Sequence, residues 1–501
     1  MTSGLATTAG GVLLVPAILT PVVGMVLSLA LGGRWAERVA LAVAPIGLAF
    51  ALAIAIAVWQ TGAPIVYVIS GVQPPLGIAL EADGVSAAML VVAAIILPAA
   101  MLYARANFET PPGASEARAP LTFWIMLLAV WAALSLLFLG RDLFNLYVGV
   151  ELLTFAAAPL VCIGGKPETL AAALRYLLFA LAGSAFYLLG AALLYGTYGT
   201  LDIGLLAGRA QPILPVWVAA ALITTGLLAK TALFPLHLWL PPAHANAPAG
   251  ASAVLSGLVV KGSFFVVVRL WFNVLPAIPA GAAHAFLAAL GSCAILFGSV
   301  LALRQKRLKL LVAYSTIAQI GYLFLIFPLA SGLHPWAIDG WSGGFMQVMA
   351  HAFAKAAMFL AAGLIAESLG HDRIADLAGT GRAMPMTMFA LGLAGVSLMG
   401  LPPSGGFGAK WLLLRASIAS GQWVWALVII VGGLLAAGYL YRILARALFG
   451  EPPVLNAKPK RSREAIALAL AIAAIALGFA PQGFFHFLEI GRPAIEAAGP
   501  A

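Results

Sequence analysis

Apolar residues run along this chain in blocks of about twenty, separated by short polar breaks. A hydrocarbon core is crossed by roughly 20 residues of helix. Blocks of that length predict about fourteen spans, near residues 10–32, 39–59, 84–103, 121–139, 143–164, 169–197, 213–234, 251–273, 279–302, 309–331, 342–367, 385–417, 422–447 and 464–486. The expected class is an all-α polytopic membrane protein. The twelfth block is overlong and contains Leu401-Pro402-Pro403-Ser404-Gly405-Gly406, which reads as a break inside a helix. The seventh runs into a second irregular stretch, from Phe234-Pro235-Leu236-His237 through Pro241-Pro242 to Pro248. No soluble domain is evident, and the longest polar connections are 104–120 and 450–463. The first block lacks the basic leader of a secretory signal and is long enough to span.

Composition sharpens this picture. Of 501 residues, 63% are hydrophobic and 9% charged, against roughly a quarter charged in soluble domains. The net charge of +10 does not point to nucleic acid, because the basic residues are scattered between apolar spans rather than clustered. They concentrate in connections after odd-numbered spans: Arg34 and Arg38, Arg105 and Arg118, Lys166, Arg304 to Lys309, Arg373 and Arg382, and Lys458 to Arg463. Basic loops stay cytoplasmic, so both termini are expected outside, in an inner, cytoplasmic-type membrane. Arg141 and Arg209 are lone exceptions. Cys162 and Cys293 lie in apolar stretches without metal or redox spacing and read as buried small residues.

A charge at mid-bilayer costs about 2.5–3.5 kcal/mol on insertion scales. Five residues stand well inside the spans: Glu151, Lys230, Lys261, Lys355 and Lys410. Together they represent on the order of 10 kcal/mol of insertion cost, which points to function; the bland alternative is a set of paired packing charges. Arg175, early in the sixth span, is a candidate ion-pair partner for Glu151. Lys230 lies five residues before Pro235, in the last turns of a half-helix, where backbone carbonyls favour a cation. Lys410 follows the Gly405-Gly406 break, near the start of the next half-helix, where the dipole disfavours one. Lys410 is therefore expected to release its proton more readily than Lys230. His351 and Lys355 are four apart and share a helical face. His237 and His244 flank the proline-rich break as candidate relays. No cluster has metal-ligand spacing and no glycine-rich loop has a phosphate-binding context, so no cofactor is expected.

At these residues the sequence resembles the antiporter-like membrane subunits shared by respiratory complex I, membrane-bound hydrogenases and Mrp-type sodium/proton antiporters. Lys230 to His244 is similar to the family's seventh helix and following break, and Asn246 to Lys261 to its eighth. His351-Ala352-Phe353-Ala354-Lys355 is similar to its eleventh and Leu401 to Lys410 to its broken twelfth. The wording around Lys230 and His351 is closest to Mrp D-type and hydrogenase-associated members. The resemblance implies fourteen helices with breaks in the seventh and twelfth and two inverted five-helix repeats. It divides the chain into 1–120 (helices one to three), 121–273 (first repeat), 279–447 (second repeat) and 464–501 (last helix and tail). It also implies roles: Glu151 paired with Lys230, Lys261 with His351 and Lys355 as a central relay, and Lys410 at the exit. Some members carry Glu where this chain has Lys410.

The leading functional expectation is a proton-translocating subunit of a hetero-oligomeric complex, partnered by other membrane subunits and the lipid bilayer. A sodium/proton exchange subunit is the second, and a solute symporter of another class the third. A redox-catalytic chain is the fourth. Any oxidoreductase activity then belongs to the parent complex, NADH:quinone oxidoreductase or hydrogenase, rather than to these residues.

Overall fold

Backbone N–H and C=O groups find no water in hydrocarbon, so a chain this apolar spans as helices that satisfy their own hydrogen bonds. The computed structural model describes residues 5–111 and 113–493; the expected terminal segments extend beyond them at 1–4 and 494–501. Thirteen helices among the described residues are long and apolar enough to cross a bilayer. They are α1 (Gly11–Leu31), α2 (Gly33–Thr61), α3 (Gly84–Ala104), α4 (Arg118–Leu139), α5 (Leu143–Cys162), α6 (Pro167–Tyr198), α7a (Leu214–Thr231), α8 (Ala249–Val274), α9 (Gly281–Arg304), α10 (Leu308–Leu329), α11 (Pro335–Leu369), α13 (Trp423–Leu448) and α14 (Arg461–Phe479). The proline–glycine block divides the twelfth span into α12a (Pro385–Met399) and α12b (Gly405–Ala419). Counted as one broken span, this pair brings the number to fourteen.

Two helices have no outward face. α8 and α11 are buried along their whole apolar length, whereas α1, α2, α13 and α14 are mostly outward-facing. Lys261 belongs to α8, and His351 and Lys355 to α11, so these charges sit on the innermost helices. Close packing elsewhere depends on missing side chains. Gly183 of α6 faces Gly226 of α7a, and a Cβ on either would lie 2.5 or 2.2 Å from the opposing carbonyl oxygen.

Both breaks are built by specific residues. α7a ends on Ala232, whose φ of 59° is left-handed, a conformation costing of order 1–3 kcal/mol without glycine. The Leu233 N–H closes the end on the Leu228 carbonyl at 3.1 Å, and the Trp239 indole donates to the Ala229 carbonyl at 2.8 Å. The chain then resumes as α7b (Leu240–Asn246). α12a ends on Gly400 with φ 83°, and the Ser404 hydroxyl caps α12b by accepting from the Phe407 N–H at 3.1 Å.

Several details differ from expectation. The link between α2 and α3 is an antiparallel hairpin, β1 (Ile65–Val68) with β2 (Ala79–Ala82), Val66 opposite Glu81. Ile65-Val66-Tyr67-Val68 is a β-branched and aromatic run of strand type. α2 begins at Gly33 and α11 at Pro335, both earlier than expected. The last block is α14 followed by a separate short helix, α15 (Gln482–Glu489), cut off by Pro481. Cys293 is exposed rather than buried, because it lies on the outward side of α9. The hairpin and the C-terminal strap share one face: the Gly84 N–H donates to the Ile490 carbonyl at 3.0 Å. Arg141, an exception to the charge pattern, is neutralised on that face by Glu81 at 3.0 Å and Asp202 at 3.6 Å.

Candidate functional site

A charge that cannot reach water must find polar partners within the protein. The partners of each buried charge therefore define the site. At one end, Lys230 occupies the last turn of α7a and is 4% exposed. Its Nζ lies 3.7 Å from Glu151 Oε1 and donates to Thr154 Oγ1 at 2.9 Å and the Val150 carbonyl at 3.5 Å. All three partners come from α5, where Glu151 and Thr154 are three apart and share a face. The second carboxylate oxygen, Glu151 Oε2, is buried without a hydrogen bond.

The centre is formed by α8, α10 and α11. α8 contains a π turn at Leu255–Val259, immediately before the turn that carries Lys261; such turns recur at functional sites. The Lys261 ammonium donates to the Ser256 carbonyl. The Ser256 hydroxyl bonds to the Thr316 hydroxyl at 3.0 Å, and Thr316 donates to the Val312 carbonyl at 3.0 Å. That carbonyl also accepts from Lys355 Nζ at 2.9 Å, and Lys355 further donates to Ser315 Oγ. Lys261 and Lys355 are thus linked through two hydroxyls and two carbonyls. One turn from Lys355, His351 is buried with neither ring nitrogen bonded to protein.

At the other end, Lys410 departs from the sequence-based expectation. It is the sixth residue of α12b, but a helical side chain points back toward its own N-terminus. Its ammonium crosses the break and donates to Leu398 O at 2.6 Å and Met399 O at 3.2 Å, the last carbonyls of α12a. It also lies 4.4 Å over the Tyr322 ring. The expected contrast of dipole sense between Lys230 and Lys410 is therefore overturned. Both ammoniums sit at the C-terminal end of a half-helix, the end that favours a cation.

Arg175 does not pair with Glu151. It is exposed on α6, and among the described residues no carboxylate lies within ion-pair distance of it; the buried side of that turn is occupied by Ala172, Ala173 and Tyr176. His237 is buried but packs between Phe234 and Phe297, with ring centroids 5.6 and 5.2 Å away, and bonds to no lysine. His244 stacks on Phe359 of α11 at 4.6 Å, with its Nδ1 buried and unbonded.

The sequence pattern of charges passes over the polar side chains between them. Gln347 of α11 donates to Gln319 Oε1 of α10 at 3.0 Å, and Gln319 donates to Leu398 O at 3.0 Å, the same carbonyl that holds Lys410. On α10, Val312, Ser315, Thr316, Gln319 and Tyr322 form one stripe at helical spacing. That stripe is a readable signal. Arg269 is another such residue: near the end of α8 it is held by Asp83 at 2.6 Å and Ser86 Oγ at 2.8 Å, a fixed packing pair. Near it, outside the spans, burial pushes the Glu81 carboxyl up against the opposing pull of Arg141 and Arg269.

Comparison with known proteins places this arrangement. The family model described as NADH:quinone oxidoreductase/Mrp antiporter, transmembrane, matches residues 140–436. The N-type subunit of the NADH-quinone oxidoreductase of Desulforudis audaxviator is 35% identical over 436 residues, 83% of this chain and 84% of that one. The D-type subunit of the Na(+)/H(+) antiporter of Alkalihalophilus pseudofirmus is 27% identical over 481 residues, 95% of each. A protein in the structure of the Mrp complex from Dietzia sp. DQ12-45-1b superposes with a TM-score of 0.86 at 26% identity, covering 96% of both.

Proposed function

Because the chain belongs to the NADH:quinone oxidoreductase/Mrp antiporter membrane family, we propose that it is a proton-translocating, antiporter-like subunit of a multisubunit membrane complex, with other membrane subunits as its partners. One observation carries this reading: Lys261, Lys355 and Lys410 are buried and tied to carbonyl and hydroxyl groups of α8, α10 and α12a, while a fourth lysine, Lys230, has a carboxylate partner. A packing charge needs a fixed counter-ion; three of these four lysines have none among the described residues. In the proposed cycle the Glu151–Lys230 pair is the switch. Opening it changes the field at Lys261, and coupled groups then redistribute protons through Lys355 and His351 toward Lys410. His244, against α11, is proposed as a side branch of this relay; His237 and Arg175 are not.

A Lys230→Ala variant tests the reading. With the complex assembled, coupled proton movement into vesicles is expected to be lost; full pumping would overturn it. Sodium/proton exchange is the second reading, favoured by the likeness to the Alkalihalophilus antiporter protein over 95% of the chain. A sodium-dependent pH change in vesicles distinguishes it.

Orientation and internal symmetry follow as proposals. The basic loops favour an inner membrane with both ends of the chain outside. Two inverted repeats, 121–273 and 279–447, are supported by helix breaks at the corresponding places in the seventh and twelfth spans.

A further inference from the structure

We infer that Gln319 and Gln347 form a gate between the central His351–Lys355 pair and Lys410, closed to protons in the conformation seen here; the inference rests on the proton-carrying reading above. The chain of hydrogen bonds from α11 to Lys410 runs Gln347 Nε2 to Gln319 Oε1, then Gln319 Nε2 to Leu398 O, each 3.0 Å. A proton passes along such a chain only if every member can both take one and give one up. A neutral carboxamide offers two donors and an acceptor but does neither near neutral pH. The two amides therefore carry hydrogen bonds and no protons.

The chain is closed at its far end. Gln347 donates to Gln319 and Gln319 to Leu398 O, which also accepts from Lys410 at 2.6 Å. Two donors fill both lone pairs of that oxygen, so it takes no further proton and separates the amides from Lys410. Upstream, acceptors are free. Gln347 Oε1 is buried without a donor, and His351, one turn along the same face of α11, has both ring nitrogens unbonded. A protonated His351 therefore has an acceptor available on the near side of the pair and none beyond it. An alternative partner also stands ready: the Tyr439 hydroxyl of α13 is buried, unbonded and adjacent to Gln319 and Ser315. Turning Gln319 toward it would release Leu398 O and interrupt the amide chain. Opening the gate thus consists of separating two amides, not moving a helix.

The test replaces the amides with a group of the same shape that exchanges protons. In the full complex reconstituted in vesicles, Gln347→Glu is expected to raise passive proton leak at least tenfold without any driving reaction, and to move the pH profile of driven transport. Gln319→Glu serves as the second variant if the first fails to assemble. Adding Lys410→Met to the leaking variant is expected to remove the leak. A leak equal to that of the parent in an assembled Glu variant, or a leak indifferent to Lys410→Met, overturns the gate. If driven transport in the same vesicles still requires Lys230, only the gate falls; if it survives Lys230→Ala, the proton-carrying reading itself falls.

Discussion

Glu151→Gln isolates the electrostatic part of the proposed switch. It removes one charge, keeps the shape, and leaves the Lys230 bonds to Thr154 and Val150 in place. At 3.7 Å two unit charges attract by about 4 kcal/mol at an effective dielectric of ~20. The Glu151 side chain is 14% exposed and that of Lys230 4%, so solvent screens the pair little. An uncompensated buried charge costs about 3–5 kcal/mol when its partner is removed, in line with that attraction. An energy of this size is worth a factor of order 10³ in an equilibrium between open and closed pairs. Coupled proton uptake, followed with a pH-sensitive dye in vesicles holding the assembled complex, is expected to fall at least tenfold. Glu151→Asp, which keeps the charge on a shorter arm, is expected to restore part of it. Arg175→Ala, on the exposed side of α6, is expected to transport like the parent. An assembled Glu151→Gln protein with full coupled uptake would refute the reasoning, since the loss of that attraction would then have no consequence for transport.

Gly406→Ala should prevent assembly, because its Cβ would lie 1.8 Å from the Ser397 carbonyl oxygen; recovery of normal amounts of complex from membranes would contradict this. Thr387→Val removes the hydroxyl that holds the buried Glu464 carboxylate, bonded at 2.7 Å, and should cost about 1–3 kcal/mol, read as a lower thermal midpoint. Arg141→Met leaves Glu81 and Asp202 without their shared cation and should lower the midpoint at neutral pH. Burial already holds the Glu81 carboxyl above its ordinary value, and removing Arg141 raises it further. A carboxyl raised in the fold costs stability while ionised, so part of the loss should return as pH falls through the raised value. A variant equally destabilised on both sides of that range would show that the ion pair plays no part.

The fold was legible because its cause is a length. A bilayer fixes about twenty residues per span, and Leu401 to Gly406 can only be a break. The charges were legible because each is costly in apolar surroundings. What escaped was geometry that depends on neighbours. The hairpin at Ile65–Val68 and Ala79–Ala82 is too short to register against twenty-residue blocks. The residues alone offer Arg175 as the partner of Glu151, and only the family resemblance implies Lys230; the choice is set by how α5 faces α7a, which residue spacing on one helix does not contain. Gln319 and Gln347 were passed over because a reading that follows charges skips neutral amides, although these decide which charges are joined.

Lys410 shows how position along a helix can mislead. Judged by its backbone, it starts a half-helix, at the end where a cation is opposed. Judged by its ammonium, it ends one: Leu398 and Met399 supply the last carbonyls of α12a. The other end of the same half-helix is held by Glu464 of α14, whose Oε1 accepts from the Thr387 N–H at 3.2 Å and hydroxyl at 2.7 Å. α12a therefore carries an acidic group at its N-terminus and a cation at its C-terminus, both in the sense its dipole favours. Each such end is worth about 0.3–2 kcal/mol, less than the insertion cost of a central lysine. The dipole alone does not offset that cost; the two carbonyl bonds and the Tyr322 ring add to its contribution whenever Lys410 is protonated. Lys230, at the end of α7a, has the same helix-end setting plus a carboxylate. The two lysines thus differ in one respect that matters for a switch: only the charge balance at Lys230 can be altered by opening an ion pair, while Lys410 responds to whatever shares the Leu398 carbonyl.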